Sequence, residues 1–305
     1  MIRKHTRRAA KAAFAISLGV AIVLGGTATV ASARHAASPT IVVGNKNFTE
    51  EYLLGQLYGQ ALKAKGFHVK FSGSLGSSEL ADTALTSGKI NFLPEYTGVI
   101  VLDIAKQKSP KTAAATFAAA KAFEETRGLT LLNATPFYDA DTVAVLKSTA
   151  QKYGLKTIGD LKKLSSWRYA GYPECDKRIT CLLGLKQIYG LTNVKFVQLG
   201  SISVETLLDS HKVIGGDIFS TESAFATGKY VALTDTKHIF GFQNVAPVVS
   251  QKIVAAGGAK FTAAVNAVSA KLTIAAMIAM NKAVDVDKKT PSAVAAAFLK
   301  ANGLA

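Results

Sequence analysis

Cysteine is nearly missing from this chain: 305 residues hold two, Cys175 and Cys181, and the five histidines (His5, His35, His68, His211 and His238) fall at no ligand spacing. Two thiols and scattered imidazoles do not make a metal site, so none is expected, and no cofactor either. Also missing are a Gly-x-Ser-x-Gly elbow, a phosphate-binding loop, a His-Glu-x-x-His helix and a dinucleotide glycine fingerprint. No nucleophile beside a base can be named, which argues against an enzyme. Acids are scarce, 20 against 36 lysines and arginines. A basic chain suggests nucleic acid, but the lysines are scattered and no aromatic-interleaved basic strand or recognition helix occurs, so that partner is not expected. No fixed-period repeat is visible.

What is present is a core-forming composition, 49% hydrophobic and 18% charged, in a chain long enough for two compact lobes. The formal net charge is +16, and five of those charges, Arg3, Lys4, Arg7, Arg8 and Lys11, open the sequence without an acid, leaving +11. An apolar run, Ala12 to Leu24, and an Ala31-Ser32-Ala33 site follow. Residues 1–33 therefore read as a signal peptide and 34–40 as a disordered lead-in. The run falls short of the roughly 20 residues a membrane helix needs, although an uncleaved anchor stays open. Thr6-Arg7-Arg8 leaves Sec and twin-arginine export both open. No cysteine near the cleavage site supports lipid attachment, so the protein is placed outside the cytoplasm without a visible anchor. In that setting Cys175 and Cys181 are expected to pair; two free thiols at a helix start are the alternative.

The mature chain starts with a β-branched run, Ile41 to Val43, broken by Gly44-Asn45 and followed by Thr49 and two acids, Glu50 and Glu51, that suit a helix start. Leu53, Leu54, Leu57, Tyr58, Ala61 and Leu62 form an i, i+3, i+4 stripe on a helix over about 48–65. Strands at 68–72 and 90–93 and a helix over 78–87 complete a β-α-β-α-β pattern, hence a mostly parallel sheet. A second α/β set spans 141–240, with strands at 168–172, 194–199, 217–220 and 230–233. The expected division is a first lobe of 41–137 plus 246–305, a second of 141–240, and hinges at 138–140 and 241–245. In open α/β sheets ligands sit beyond the carboxyl ends of strands, which puts Lys46 and Tyr96 on one cleft.

Here VGNKNFTEEYLLGQLYGQALKAKG, LGSSELADTALTSGKINFLPEYTG, PECDKRITCLLGLKQIYGL and DIFSTESAFATGKYVALTDTKHIFGFQNVAPVV together resemble the glycine betaine/choline-binding subunits of osmoprotectant importers. The likeness covers most of the chain after residue 40. It implies a type II periplasmic-binding-protein-like fold, two α/β lobes with the ligand between them, and a membrane permease as partner. It carries Lys46, Tyr96 and Arg178 onto matching family positions, and Asp141 and Phe219 onto near matches. Three positions depart: Val99 replaces a threonine, Val143 a tyrosine and Gln243 another tyrosine, so a four-tyrosine box is absent. Phe242, Tyr138 and Tyr172 are candidates to compensate.

A quaternary ammonium has no N–H to donate, so it is held by aromatic faces, and any carboxylate on it by cationic and hydroxyl donors. The expected ligand set is Lys46, Tyr96, Thr97, Asp141, Arg178, Phe219, Ser220, Thr221 and Gln243, with Arg178 as the main carboxylate clamp. Each has a plainer reading: Lys46 as a solvated loop lysine, Arg178 paired with Glu174 or Asp176, Tyr96 and Phe219 as core aromatics. The Phe48, Leu53 and Leu57 stripe is read as packing. The expected function is a monomeric solute-binding protein of an ATP-driven importer. A ligand-sensing module is the alternative, and an exported enzyme the less favoured one.

Overall fold

The computed structural model describes residues 39–305; the signal peptide and most of the lead-in read from the sequence lie outside the described residues. The first sheet contains β1 (Ile41–Asn45), β2 (Val69–Ser74), β3 (Phe92–Tyr96), β4 (Leu129–Leu131) and the late strand β10 (Val245–Ser250). Its order is β2-β1-β3-β10-β4, and β10 alone runs antiparallel to its neighbours. The second sheet contains β5 (Val143–Leu146), β6 (Trp167–Gly171), β7 (Val194–Gln198), β8 (Gly215–Asp217) and β9 (Tyr230–Ala232). Its order is β7-β6-β8-β5-β9, again with one antiparallel strand, β5, in fourth place. In both sheets the antiparallel strand is the one that emerges from a crossing between lobes. Its first residue therefore pairs with a parallel strand's tip: Val245 with Tyr96, and Val143 with Asp217.

Helices cover both faces of each sheet. In the first lobe α1 (Thr49–Ala64) turns Leu53, Leu54, Leu57, Tyr58, Ala61 and Leu62 inward, as their spacing dictates. They meet α8 (Gln251–Lys271), α9 (Ile274–Asp285) and α10 (Pro291–Ala301) in one core. The opposite face is closed by α2 (Ser78–Thr86), by α3 (Thr97–Val99) running on as a π turn over Ile100–Ile104, and by α4 (Ala113–Glu125). The second lobe uses shorter helices, α5 (Lys147–Tyr153), α6 (Leu182–Gln187) and α7 (Val204–Asp209), around two cores centred on Tyr169 and on Leu208. Cys175 and Cys181 are joined, tying the 3₁₀ turn Pro173–Lys177 to the start of α6.

Three expectations are corrected. The third strand runs to Tyr96 rather than stopping at Leu93, because Pro94 lies opposite Pro247 in β10 and the two donor-less residues share one rung. The strand expected at 217–220 is Gly215–Asp217. Its glycines are a packing requirement rather than a turn: a Cβ on Gly216 would lie 2.2 Å from Val204 Cγ1. Finally, the sequence predicts closing helices from about Lys260, Ile274 and Pro291, but α8 begins at Gln251 and is kinked at Gly258, where φ is 60°. Among the described residues it is the one helix long and apolar enough to cross a membrane. Its buried face, Phe261, Ala264, Val265 and Val268, packs into the first core.

The two crossings lie side by side. Tyr138 bridges Asn244, the Asp139 amide donates to the Gln243 carbonyl at 3.1 Å, and Asn244 Nδ2 donates to the carbonyls of Thr135 and Phe137.

Candidate functional site

The carboxyl tips of both sheets face each other across two adjoining hollows. The smaller, about 40 Å³, is lined by Lys46, Phe48, Tyr96 and Val99 of the first lobe, Asp141, Tyr172, Arg178 and Phe219 of the second, and Asp139 and Gln243 of the crossings. The larger, about 610 Å³, shares Phe48, Asp139, Tyr172 and Phe219 and extends past Glu50, Asp217, Thr221, Glu222 and Asn281.

Four aromatic rings form a wall, of which Phe48, Tyr172 and Phe219 face both hollows and Tyr96 the smaller. Tyr96 stacks on Phe48 (centroids 6.4 Å apart), Phe48 on Phe219 (5.1 Å) and Phe219 on Tyr172 (5.9 Å), so the series passes from one lobe to the other. A methyl group sandwiched between two ring faces needs them about 7 Å apart, given carbon contacts near 3.5 Å. The Phe48–Phe219 pair must therefore part before a methylated ammonium enters between its faces. The smaller hollow holds roughly the volume of two or three waters, which leads to the same conclusion.

Lys46 is 3% exposed and its ammonium is already matched. Nζ lies 2.5 Å from Glu95 Oε1, 3.5 Å from Glu51 Oε1 and 3.3 Å from Ser78 Oγ, and it sits 4.3 Å from the Tyr96 ring centroid. Burial opposes that charge, but Glu51 and Glu95 outweigh it and hold the lysine's pKa above its ordinary value. Burial pushes Glu51 up to about 8 despite Lys46. Arg178 lines the smaller hollow, yet its guanidinium makes a two-pronged contact with Glu79 of the first lobe, at 3.0 to 3.1 Å. Burial notwithstanding, that contact draws Glu79 down to about 2. The expected anion clamps are thus both engaged by protein carboxylates, and the partner of Arg178 is Glu79, not Glu174 or Asp176.

The remaining predicted residues divide. Tyr96 donates its hydroxyl to Glu50 Oε1 at 2.8 Å, and Thr221 donates to Glu50 Oε2 at 2.6 Å across the lobes. Gln243 faces the smaller hollow, but its Oε1 accepts from the Val99 amide and its Nε2 donates to the Phe240 carbonyl. Asp141 is half-buried beside Asp217, and loss of solvent, partly countered by Arg178, raises it to about 6. Burial and the Asp141 charge push Asp217 well above the carboxylate range.

Thr97 and Ser220 line neither hollow: the first donates to the Phe242 carbonyl and the second to Asp139, each bracing a crossing. Val143 is wholly buried in the second core, away from both hollows. Of the three candidates to compensate for missing rings, Tyr172 lines the wall, Phe242 stacks on His238 and Tyr138 is 51% exposed.

Phe48, read from the sequence as packing, does pack against the first core and also stands in the wall. It follows Lys46 by two positions beyond the strand end, and that placement was the available signal. Glu50, Asp139 and Asp217 were missed because each sits in a segment whose pattern reads as ordinary helix start, turn or strand.

Besides Arg178–Glu79 and Thr221–Glu50, the lobes meet where Thr180 donates to Asp103 at 2.6 Å and where Asn281 Nδ2 donates to the Thr221 carbonyl at 3.3 Å. Two α/β lobes of matching strand order, joined by paired crossings with an aromatic-walled cleft between them, make the fold that of type II periplasmic binding proteins. Residues 39–301 match the substrate binding domain of ABC-type glycine betaine transport systems, and the chain belongs to that family. This is a family of solute-binding proteins, not of enzymes.

Among its relatives, a glycine-betaine-binding protein of Pseudomonas aeruginosa PAO1 is 29% identical over 281 residues, 88% of this chain and 90% of that one. The ergothioneine transport permease/ergothioneine binding protein EgtU of Helicobacter pylori G27 is 26% identical over 274 residues, 87% of this chain but 48% of that protein. A solved structure of a glycine betaine/carnitine/choline ABC transporter superposes with a TM-score of 0.71 at 22% identity, over 87% of this chain and 99% of that one.

Proposed function

We propose that the chain, exported by its N-terminal segment and working as a monomer with the Cys175–Cys181 bridge formed, captures a small quaternary-ammonium solute and delivers it to the permease of an ATP-driven importer. The observation that carries this reading is the wall of Tyr96, Phe48, Phe219 and Tyr172, drawn from both lobes beside buried carboxylates. Ring faces and acids attract a positive head that has no N–H. Because the wall is divided between lobes, a head bound to it favours the joined arrangement over the open one by its differential contacts. Residues 138–140 and 241–245 are proposed as the hinges.

Arg178 supports a second arm of the reading. It borders the aromatic hollow, so a ligand carboxylate competes with Glu79 for its guanidinium.

Calorimetric titration of the mature protein with glycine betaine, choline, carnitine and ectoine tests both arms. At least one quaternary ligand is expected to bind, and Tyr96→Ala to weaken it by about 1 kcal/mol or more. Arg178→Ala is expected to weaken glycine betaine more than choline. Silence towards every quaternary ligand, or equal titrations for wild type and Tyr96→Ala, removes the reading; equal losses for betaine and choline remove only the carboxylate arm.

A further inference from the structure

Two cations, Lys46 and Arg178, line the smaller hollow, and only one of them can change partners. Lys46 is matched from within its own lobe by Glu95 and Glu51, whose side chains are 4% and 0% exposed and have no solvent to retreat to. Arg178 is matched from across the cleft by Glu79, whose side chain is 43% exposed. Glu79 stands in the first turn of α2, where a negative charge is favoured, and Ser77 Oγ donates to its Oε2 at 2.7 Å. Those supports do not depend on Arg178. Should the guanidinium turn away, the carboxylate keeps them and meets water, so no buried charge is stranded.

While the pair holds, Nε and Nη2 of Arg178 reach both oxygens of Glu79, and among the described residues no other carboxylate is ion-paired with that guanidinium. Burial notwithstanding, the contact keeps Glu79 at about 2, hence ionised at neutral pH. A ligand carboxylate arriving at Arg178 therefore meets a group that already has a negative partner. Two carboxylates at one guanidinium repel each other, and the newcomer gains only the difference between itself and Glu79. A ligand without a carboxylate leaves the pair as it is.

Resting on the quaternary-ammonium reading of the aromatic wall, we propose that Glu79 determines specificity at this site: as an internal rival for Arg178 it lowers the affinity of ligands that carry a carboxylate and spares those that carry none. Glu79 lines neither hollow. It acts through Arg178, by setting how far the guanidinium is available, and so selects by an unfavourable exchange rather than by a contact of its own.

Glycine betaine and choline are the matched probes, since both present a trimethylammonium and they differ in a carboxylate against a hydroxymethyl. Glu79→Gln keeps the length of the side chain and removes its charge. In calorimetric titration of the full mature protein it is expected to raise the affinity for glycine betaine relative to choline by about tenfold. The ratio is the readout because Glu79 also ties the lobes together, and a purely structural loss moves both ligands alike. In an Arg178→Ala background the same substitution is expected to leave the ratio where Arg178→Ala alone puts it.

A ratio unchanged by Glu79→Gln overturns the proposal and leaves the quaternary-ammonium reading standing. So does a gain of the same size without Arg178, which would mean general repulsion rather than exchange. If neither trimethylammonium ligand binds wild type or variant, glycine and ethanolamine, the same pair without the methyl groups, decide. Glycine gaining on ethanolamine in Glu79→Gln keeps the rival and removes the quaternary reading; no gain, or no binding, removes both.

Discussion

The two lobes share a strand order but bring charge to the cleft in opposite ways. The first lobe is internally balanced: Lys46 at the end of β1 has Glu95 from β3 and Glu51 from α1 around it, all three almost fully buried. The second lobe is not. Asp141 and Asp217 face each other at its sheet tips, and its one nearby guanidinium, Arg178, reaches over to Glu79 of the first lobe. Skeletons differ in the same sense. In the first lobe α1, α4, α8, α9 and α10 have 16, 13, 21, 12 and 11 residues beside the shorter α2 and α3 of 9 and 3, whereas α5, α6 and α7 of the second have only 7, 6 and 6. Helices that short do not hold themselves in water. The second lobe adds a covalent tie where the first relies on packing. At the end of β1 the charge is thus matched within its own lobe, whereas the second lobe's Arg178 is matched from across the cleft.

The strongest way to break this contrast is Lys46→Ala. It takes the ammonium from between Glu51 and Glu95 and leaves Glu95 buried without its counter-charge, and the expected loss is about 3–5 kcal/mol in chemical denaturation. Glu51→Gln with Glu95→Gln in the same background should recover much of it, since the stranded charges are then gone. If Lys46→Ala costs no more than an ordinary surface change, the triad is not what balances that lobe.

Next in size is the disulfide. Replacing Cys175 and Cys181 by alanine should cost about 2 kcal/mol on the chain-entropy account, the loop being short. The effect should be confined to the second lobe, with amide exchange accelerated in α6 and the 173–177 turn and unchanged in α1. Uniform acceleration through both lobes would contradict the division, and two alkylatable thiols in the unreduced protein would remove the tie altogether.

How far the sequence reveals this arrangement differs by level. The lobes and most of their elements are legible because hydrophobic period and glycine breaks act locally, as in the α1 stripe that ends at Gly66. Legibility fails where tertiary pairing overrides a local signal: the strand read at 90–93 stops short of Pro94 until Pro247 is seen opposite it, and the one read at 217–220 starts after Gly215-Gly216 until Val204 is seen against Gly216. In the site, residue identities at the strand tips could be read but their partners could not. That Lys46 meets Glu95 and Arg178 meets Glu79, and that Phe48 joins the wall as well as the packing, depends on contacts 49 and 99 positions apart in sequence and on ring stacking across the cleft.

Glu222 offers the finest test, because its environment is shared between the lobes. Burial raises its pKa to about 8, and Glu205 of its own lobe and Asp285 and Glu50 of the first reinforce the shift. A carboxyl held high in the fold favours the protonated form, so its contribution is fully present below the ordinary carboxylate range and is lost as pH climbs towards 8. Glu222→Gln is neutral at every pH. It should therefore match the wild type near pH 4.5 and exceed it by on the order of 1 kcal/mol at pH 8.5, read as the difference in melting temperature across that span. Adding Asp285→Asn in the first lobe should shrink the remaining pH dependence of the wild-type comparison, since part of the repulsion comes from there. A difference that stays flat with pH would mean that burial and its neighbours do not hold Glu222 above the ordinary carboxylate range.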